Sequence, residues 1–265
     1  MIDKVIHYFW FGGNPKDKLV EKCIESWKKY CPDYKIIEWN ESNFDINLFR
    51  YASEAYEQKK YGFVTDPARF YIIYNYGGIY LDTDVELKES LDEFLKYKAW
   101  FNWESNVFLA TGLGFGAEQG NNLVKAMLDY YVDRSFYKKN GKMDLTPSPK
   151  INTRSLLECN IGLIRNGATQ IHDNVLFCSG EIHSKKLTHH YAGSWIDNKD
   201  EKLKYKQYKD SFVKRKLRDP KLSNFIEQYA PNKVFDLYIL FSYDVLDNGI
   251  LYFVRRKLKV LRKRK

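Results

Sequence analysis

The first 84 residues alternate short apolar runs with amphipathic stretches, and this order constrains the fold more than any other feature of the chain. Lys4–Phe11 and Tyr34–Trp39 are rich in β-branched and aromatic residues, which is typical of buried strands. Residues 15–30 and 47–60 instead place apolar residues at helical spacing. This alternation predicts an α/β fold, with a mostly parallel, Rossmann-like sheet that carries helices on both faces.

Capping residues mark the expected element boundaries. Asn14-Pro15 and Asp66-Pro67 both have the pattern of an N-cap followed by proline at the first helical position. Residues 62–64 are expected to be extended. Gly77-Gly78 ends the helix that Asp66-Pro67 opens, and residues 79–81 form the next strand. Strands of such a sheet present their carboxyl ends to ligands, and both Gly12-Gly13 and the acidic residues after position 81 fall there.

The second half of the sequence gives weaker signals. Residues 139–153 contain turn residues and two prolines, so a loop is expected there, and residues 170–195 contain short strands. Residues 198–228 are charged and helix-prone. We therefore predict one domain over residues 1–197, followed by a helical C-terminal extension over residues 198–265.

Two carboxylates follow the apolar strand that ends at Leu81. Asp82 and Asp84 are two residues apart, so in an extended segment they point to the same side. Two close carboxylates repel each other unless a proton or a cation lies between them. A hard divalent cation suits this pair and could carry a diphosphate on its open face. A solvated acidic turn has the same short pattern, but the strand and the glycines before it favour the metal site.

Asp66 and Arg69 are three residues apart and share one helical face. The carboxylate could accept hydrogen bonds from sugar hydroxyls, and the guanidinium could hold a phosphate or sugar oxygen. The alternative is structural, because Asp before Pro is also an ordinary helix start. The spacing alone does not decide between these interpretations.

Three further positions could complete a site. An imidazole from His189-His190 could join the carboxylates around a metal, and Ser194 could donate a hydrogen bond to a phosphate. Trp10, just before Gly12-Gly13, could stack on a nucleobase. A structural histidine strand and a core tryptophan are the alternatives.

The positive charge is concentrated at the C-terminus. Residues 252–265 contain eight Lys or Arg and no acid; without them, 35 basic residues face 34 acidic ones. The tail places apolar residues on one helical stripe, which is typical of a helix lying on an anionic membrane. A nucleic-acid site would spread basic charge over the body, so we expect no nucleic-acid partner. The four cysteines form no CxxC pair, which favours reduced thiols. We expect a cytoplasmic protein bound peripherally to the inner face of the cell membrane.

These motifs together resemble glycosyltransferase family 32, whose signature is a sugar-binding region containing a DXD motif. The resemblance covers about the first 95 residues, with a closing motif at His189–Trp195. It runs through His7–Gly13, Ser26-Trp27, Trp39-Asn40, Thr65-Asp66 with Arg69, and Gly77–Asp84. The same N-terminal series resembles the catalytic domain of the large glucosylating toxins.

The resemblance implies a GT-A fold, a retaining transfer reaction, Mn²⁺ or Mg²⁺ as cofactor and a nucleoside diphosphate leaving group. By position, Trp10 would stack on the base, Asp66 and Arg69 would hold the donor sugar, and Tyr80 would line the site.

For the metal and the phosphates, the resemblance implies that Asp84 binds the metal directly, while Asp82 contacts the ribose and a metal-bound water. Ser194 and Trp195 would contact the phosphates. It does not decide which imidazole of His189-His190 faces the metal.

Together with the motifs, the resemblance thus implies a retaining, metal-dependent glycosyltransferase. It would move a hexose or N-acetylhexosamine from a nucleotide sugar, UDP-linked rather than GDP-linked, to a saccharide acceptor. A lipid-linked acceptor in surface polysaccharide synthesis suits the basic tail. Two alternatives share its features: a nucleotide-sugar hydrolase with the same donor site, and a non-catalytic protein that binds membrane or nucleic acid.

Overall fold

The computed structural model describes residues 1–103, 108–158 and 169–192. The strands of this part are Val5–Phe9 (β1), Lys35–Trp39 (β2), Gly78–Tyr80 (β3), Val85–Leu87 (β4), Ala99–Asn102 (β5), Phe115–Ala117 (β6), Gln170–His172 (β7), Val175–Cys178 (β8) and Leu187–His189 (β9). The α-helices are Lys18–Tyr30 (α1), Arg50–Glu57 (α2), Tyr61–Tyr76 (α3), Asn122–Val132 (α4), Ser148–Glu158 (α5) and Gly180–Lys186 (α6). The extension predicted for residues 198–265 lies outside the described residues.

Seven strands form one sheet in the order β2-β1-β3-β6-β5-β8-β7, and β4 pairs separately with β9. Strand β1 is parallel to β2 and β3, and β5 is parallel to β8. Strand β6 is antiparallel to both β3 and β5, and β7 is antiparallel to β8. Five of the seven strands therefore run in the same direction. The predicted α/β fold with a mostly parallel sheet is confirmed.

One face of this sheet packs against helix α1. Successive strand residues point to opposite faces, so Tyr8, Ile79 and Trp100 lie on the same side. They belong to one buried cluster with Cys23 and Trp27 of α1. Trp27 also donates its indole N–H to the Val85 carbonyl at 2.7 Å, which attaches α1 to β4 as well as to the sheet.

The opposite face carries a row of aromatic rings, one from each of five neighbouring strands. Their centroids are 5.7 to 6.1 Å apart along the series Phe9, Tyr80, Phe115, Phe101 and Phe177. Helix α3 covers this face, where Phe70 lies 5.6 Å from Phe115. Cross-strand aromatic contacts of this kind fix the strand register. Helices on both faces of the sheet are thereby confirmed.

Two predicted helix starts are wrong. Helix α1 begins after Asp17, which accepts hydrogen bonds from the N–H groups of the next turn at 2.9 Å, and not at Asn14-Pro15. Helix α3 begins at Tyr61, so residues 62–64 are helical and Pro67 lies inside the helix. Proline there removes one backbone hydrogen bond. Burial of Phe63, which packs 5.3 Å from Phe136, favours the earlier start.

The predicted loop over residues 139–153 is also partly wrong, because α5 begins at Ser148. Pro149 is the second residue of that helix, where its missing N–H costs nothing. Ile151 and Leu156 are buried, so an apolar face stabilises the helix despite the preceding turn residues. Helix α6, capped by the Ser179 hydroxyl, was not predicted.

Candidate metal centre and the side chains around it

Asp82 and Asp84 lie at the carboxyl edge of the sheet. They follow β3 in the connection to β4, and β3 is the parallel neighbour of β1. The pairing continues one residue beyond β3, since Leu81 donates its N–H to the His7 carbonyl at 3.2 Å. The strand therefore carries both carboxylates to the edge of the sheet where ligands of such folds bind.

The small β4–β9 pair brings a histidine to the two carboxylates. Val85 is the register partner of His189, and the His190 N–H donates to the Asp84 carbonyl at 3.0 Å. Asp82, Asp84 and His189 each offer one ligand atom, and these atoms lie within 4.8 Å of one another. His189 Nε2 is 3.1 Å from Asp84 Oδ1.

Both carboxylate oxygens of Asp84 have a partner. Oδ1 lies 3.1 Å from His189 Nε2, and Oδ2 accepts the Ala192 N–H at 2.9 Å. Tyr191, with a φ of 52°, turns the chain so that His189 and Ala192 both reach Asp84. Burial disfavours the charged form of Asp84. The hydrogen bonds and the charge of His189 outweigh burial, so the pKa of Asp84 is lowered. Asp84 is therefore held as a carboxylate.

Asp82 is held by Tyr80, the last residue of β3. Its Oδ1 accepts the Tyr80 hydroxyl at 2.5 Å and lies 3.8 Å from Arg69 Nη1. Burial and the nearby Asp84 raise the pKa of Asp82, although Arg69 acts in the opposite direction. With 30% of its side chain exposed, Asp82 still faces solvent.

Asp66 and Arg69 form a buried ion pair on α3. Arg69 Nη2 donates to Asp66 Oδ1 at 2.7 Å and to Thr65 Oγ1 at 3.0 Å, and its Nε donates to the Thr65 carbonyl at 3.1 Å. The guanidinium carbon lies 4.9 Å from the centre of the Tyr80 ring. Within the described residues, Arg69 Nη1 is buried and has no hydrogen-bond partner. It lies 3.8 Å from Asp82 Oδ1, beyond hydrogen-bonding distance.

Burial raises the pKa of Asp66 to about 7, against the opposing effect of Arg69. Only 3% of Asp66 is exposed. A carboxyl group whose pKa burial raises this far is uncommon, and such groups occur often at functional sites.

Trp10 lies just beyond the end of β1, at the same sheet edge. Its indole N–H donates to the Asn14 carbonyl at 2.6 Å, and the ring is half-buried, with Lys16 Nζ 5.6 Å from its centre. The neighbouring Gly12 N–H donates to Glu41 Oε1 at 2.6 Å. These bonds fix the loop while leaving part of the indole ring exposed.

The structure separates the two histidines. His190 Nε2 lies 2.9 Å from Glu86 Oε2, which also pairs with Lys22 at 2.8 Å, so His190 belongs to a surface cluster. His189 is the imidazole that lies with Asp82 and Asp84. Ser194 and Trp195 lie outside the described residues.

Three groups that contact the site have no role in the sequence-based prediction. Thr65 holds Arg69 through its hydroxyl, the Ala192 N–H holds Asp84, and the Gly112 carbonyl accepts the Asp82 N–H at 3.4 Å. Thr65 directly precedes Asp66 and could have been identified by its i, i+4 spacing from Arg69. Gly112 and Ala192 meet the site through long-range contacts that no local pattern reveals.

The three ligand groups fit a divalent cation. Ligands that share one small cation lie roughly 3 to 4 Å apart, and the 3.1 Å separation between His189 and Asp84 matches this. Carboxylates suit Mg²⁺ and Mn²⁺, whereas imidazole suits the transition metals. The mixed set of two carboxylates and one imidazole is therefore compatible with a divalent cation.

The part of the chain that contains both carboxylates is similar to known proteins. Residues 17–100 match the family described as glycosyltransferase sugar-binding region containing DXD motif. Inositol phosphoceramide mannosyltransferase 3 of Schizosaccharomyces pombe is 33% identical over 110 residues, covering 37% of this chain and 29% of that protein. Inositol phosphoceramide mannosyltransferase 1 is 29% identical over 111 residues, covering 38% and 33%. The matched region thus spans about a third of these curated relatives. The resemblance to DXD-containing glycosyltransferases is confirmed.

Two solved structures are similar at lower identity. PaToxG glycosyltransferase is 19% identical with a TM-score of 0.45, covering 59% of this chain and 68% of that one. A glycosyltransferase involved in the glycosylation of the major capsid of PBCV-1 is 13% identical with a TM-score of 0.39, covering 76% and 98%. Because both TM-scores are below 0.5, the evidence for the α/β fold is the strand pairing described above.

Proposed function

We propose that this protein is a metal-dependent glycosyltransferase with a GT-A fold that takes its sugar from a nucleoside-diphosphate donor. One observation carries the proposal: Asp82, Asp84 and His189 converge at the edge of the sheet, and both carboxylates fall within the DXD-containing region. A bound divalent cation, Mn²⁺ in preference to Mg²⁺, would neutralise the charge that develops on the diphosphate leaving group.

The side chains around this centre have distinct tasks in the proposal. Arg69 Nη1, which has no hydrogen-bond partner among the described residues, donates to an oxygen of the donor. Asp66, in its ionised form, accepts hydrogen bonds from the hydroxyls of the sugar. Tyr80 holds the Asp82 carboxylate in place. Trp10 stacks on the base with the exposed part of its ring.

The reaction proceeds with retention of configuration. The acceptor hydroxyl attacks the anomeric carbon on the face that the diphosphate leaves. The new bond to the acceptor oxygen forms as the bond to the phosphate oxygen breaks, and the leaving phosphate takes the proton of the acceptor. The role of the protein is to position both substrates and to stabilise the leaving group.

The donor sugar is a hexose or N-acetylhexosamine, and UDP is the favoured nucleotide. Both curated relatives are named mannosyltransferases, so mannose is the hexose to be screened on GDP as well as on UDP. A donor present at 100 times its dissociation constant should stabilise the fold by about 2.7 kcal/mol. A thermal-shift screen of UDP- and GDP-sugars with Mn²⁺ should therefore identify the donor.

The acceptor is a saccharide linked to a membrane lipid, in surface polysaccharide synthesis. The names of the curated relatives specify a lipid, inositol phosphoceramide. In this chain the basic tail supports a membrane location, since each Lys or Arg near an anionic surface contributes about 1 kcal/mol. None of the helices among the described residues is long and apolar enough to cross a bilayer.

The direct test measures release of UDP or GDP from sugar nucleotides by the full chain, with Mn²⁺ and with EDTA. We expect metal-dependent release that accelerates when a saccharide acceptor is added and yields a glycosylated product. Release that no acceptor accelerates would instead indicate a hydrolase. The absence of release from every sugar nucleotide would refute the enzymatic proposal.

Removal of residues 252–265 tests the membrane location separately. We expect weaker binding to vesicles that contain phosphatidylserine, with unchanged turnover of a soluble donor. Unchanged vesicle binding would refute the role of the tail.

A further inference from the structure

The turn that precedes β6 contacts Asp82 directly. Gly112 is the middle residue of a short 3₁₀ turn, Thr111–Leu113, and its carbonyl accepts the Asp82 N–H at 3.4 Å. Thr111 and Leu113 are buried, and the Thr111 hydroxyl accepts a hydrogen bond from Asn152 Nδ2 at 2.6 Å. The turn is therefore anchored on both sides of the glycine.

The Asp82 carboxylate occupies the space that a side chain at position 112 would need. A Cβ atom added at this position would lie 2.5 Å from Asp82 Oδ2 and 3.5 Å from Arg69 Nη1. Gly112 does not have a positive φ, in contrast to Gly114, which follows two residues later at 110°. The backbone conformation therefore does not require glycine at position 112, whereas the space occupied by the Asp82 carboxylate does.

We propose that Gly112 is a positioning residue of the donor site, whose missing side chain determines where the Asp82 carboxylate and the Arg69 guanidinium lie. This inference rests on the proposed function. The atom that a methyl group would meet is the end of a rotatable side chain, whereas the turn is anchored by buried neighbours. A larger residue at position 112 therefore displaces the Asp82 carboxylate rather than the turn.

Displacement of that carboxylate disturbs two contacts at once. Asp82 Oδ1 is bonded to the Tyr80 hydroxyl, and Oδ2 lies against Gly112, so rotation of the group away from a new methyl weakens the bond to Tyr80. The same movement changes the distance from Asp82 to its metal-ligating neighbours. The expected result is a folded protein with a weakened metal and donor site.

The test is Gly112→Ala in the full chain, followed by calorimetric titration with Mn²⁺ and by the KM for the donor. Loss of groups that orient metal ligands costs roughly 10- to 100-fold in metal affinity, and we expect a loss of that size here. Gly180→Ala is the matched control, because an added Cβ there meets nothing within 4 Å. It should leave affinity and turnover unchanged.

A second control separates damage to the fold from damage to the site. A Cβ on Gly116, in β6, would lie 2.4 Å from Trp100 Nε1. Gly116→Ala should therefore lower the melting temperature, while the protein that remains folded binds Mn²⁺ with normal affinity. Gly112→Ala should show the opposite pattern.

The double variant Asp82→Ala/Gly112→Ala identifies the atoms in conflict. If Gly112→Ala lowers the melting temperature, removal of the Asp82 carboxylate should restore it, since directly contacting residues couple in stability. Loss of stability that persists without the carboxylate would overturn the inference, as would wild-type Mn²⁺ affinity and donor KM in Gly112→Ala. Wild-type protein that binds Mn²⁺ but transfers no sugar would refute the proposed function alone. Wild-type protein that binds no Mn²⁺ would overturn both.

Discussion

Replacement of Asp84 by asparagine removes one charge and almost no volume. The asparagine oxygen can still accept the Ala192 N–H, which Asp84 accepts at 2.9 Å. The variant loses its ion pair with His189, at 3.1 Å, and is relieved of repulsion by Asp82. Asp84 and His189 are 16% and 15% exposed, so either effect alone is larger than the surface value of about 1 kcal/mol, but the two oppose each other. The melting temperature should therefore stay within about 4 °C of wild type.

The effect on activity should be far larger. A bound cation supplies several kcal/mol of stabilisation to the developing negative charge. If Asp84→Asn forfeits about 4 kcal/mol of this, kcat/KM falls roughly 10³-fold, since each 1.36 kcal/mol is a factor of ten. Mn²⁺ affinity should fall in parallel, because the remaining ligands are one carboxylate and one imidazole.

The assay combines Mn²⁺ calorimetry with nucleoside diphosphate release by wild type, Asp84→Asn and Glu86→Gln. Glu86→Gln is the matched control, because it makes the same chemical change two residues away, where the carboxylate contacts His190 and Lys22 instead of the cluster. The control should keep wild-type turnover. Turnover by Asp84→Asn within threefold of wild type would refute the reasoning.

Other perturbations distinguish the surrounding side chains. His189→Gln should weaken Mn²⁺ binding by at least the roughly 10- to 100-fold that loss of an outer-shell partner costs. His190→Gln should leave it unchanged, and equal effects in calorimetry would contradict this difference. Because burial raises the pKa of Asp66 to about 7, kcat/KM should rise with pH up to about 7 and then level off, and Asp66→Asn should abolish that step in the pH–rate profile. Asp66 therefore contributes stability below its ordinary pKa of 3.8 and loses it as the pH rises towards 7, so in chemical denaturation wild type should lose stability relative to Asp66→Asn across that range. Trp10→Ala should cost about 1–3 kcal/mol of donor affinity through lost stacking, and an unchanged donor KM would exclude this role.

Local patterns predicted the elements that form the sheet edge. Apolar runs predicted β1, β2 and β3, and apolar residues at helical spacing predicted α1. Such patterns occur because buried positions of a strand or helix are apolar and recur with the period of that element. Asp82 and Asp84 could be identified for the same reason, since they directly follow a buried strand. Boundaries were less accurate: Asp66-Pro67 resembles a helix start, but packing of Phe63 extends α3 by more than a turn.

Long-range contacts in the site could not be predicted from the sequence. Asp84 meets the Ala192 N–H across 108 residues, and only the pairing of β4 with β9 determines that His189, and not His190, faces the carboxylates. Gly112 matters because it has no side chain where Asp82 lies, and no local sequence pattern indicates this. Each of these depends on how distant segments pack, and strand register in particular decides which of two adjacent side chains points inward.

The most direct test of the central claim is the position of a bound ion. Crystals of the full chain grown with Mn²⁺ and UDP should show an anomalous manganese peak beside Asp84 and His189, with Asp82 in contact directly or through water. The diphosphate should lie on the open side of the ion. A crystal with UDP bound but no manganese peak between these three side chains, or with the peak elsewhere, would contradict the account.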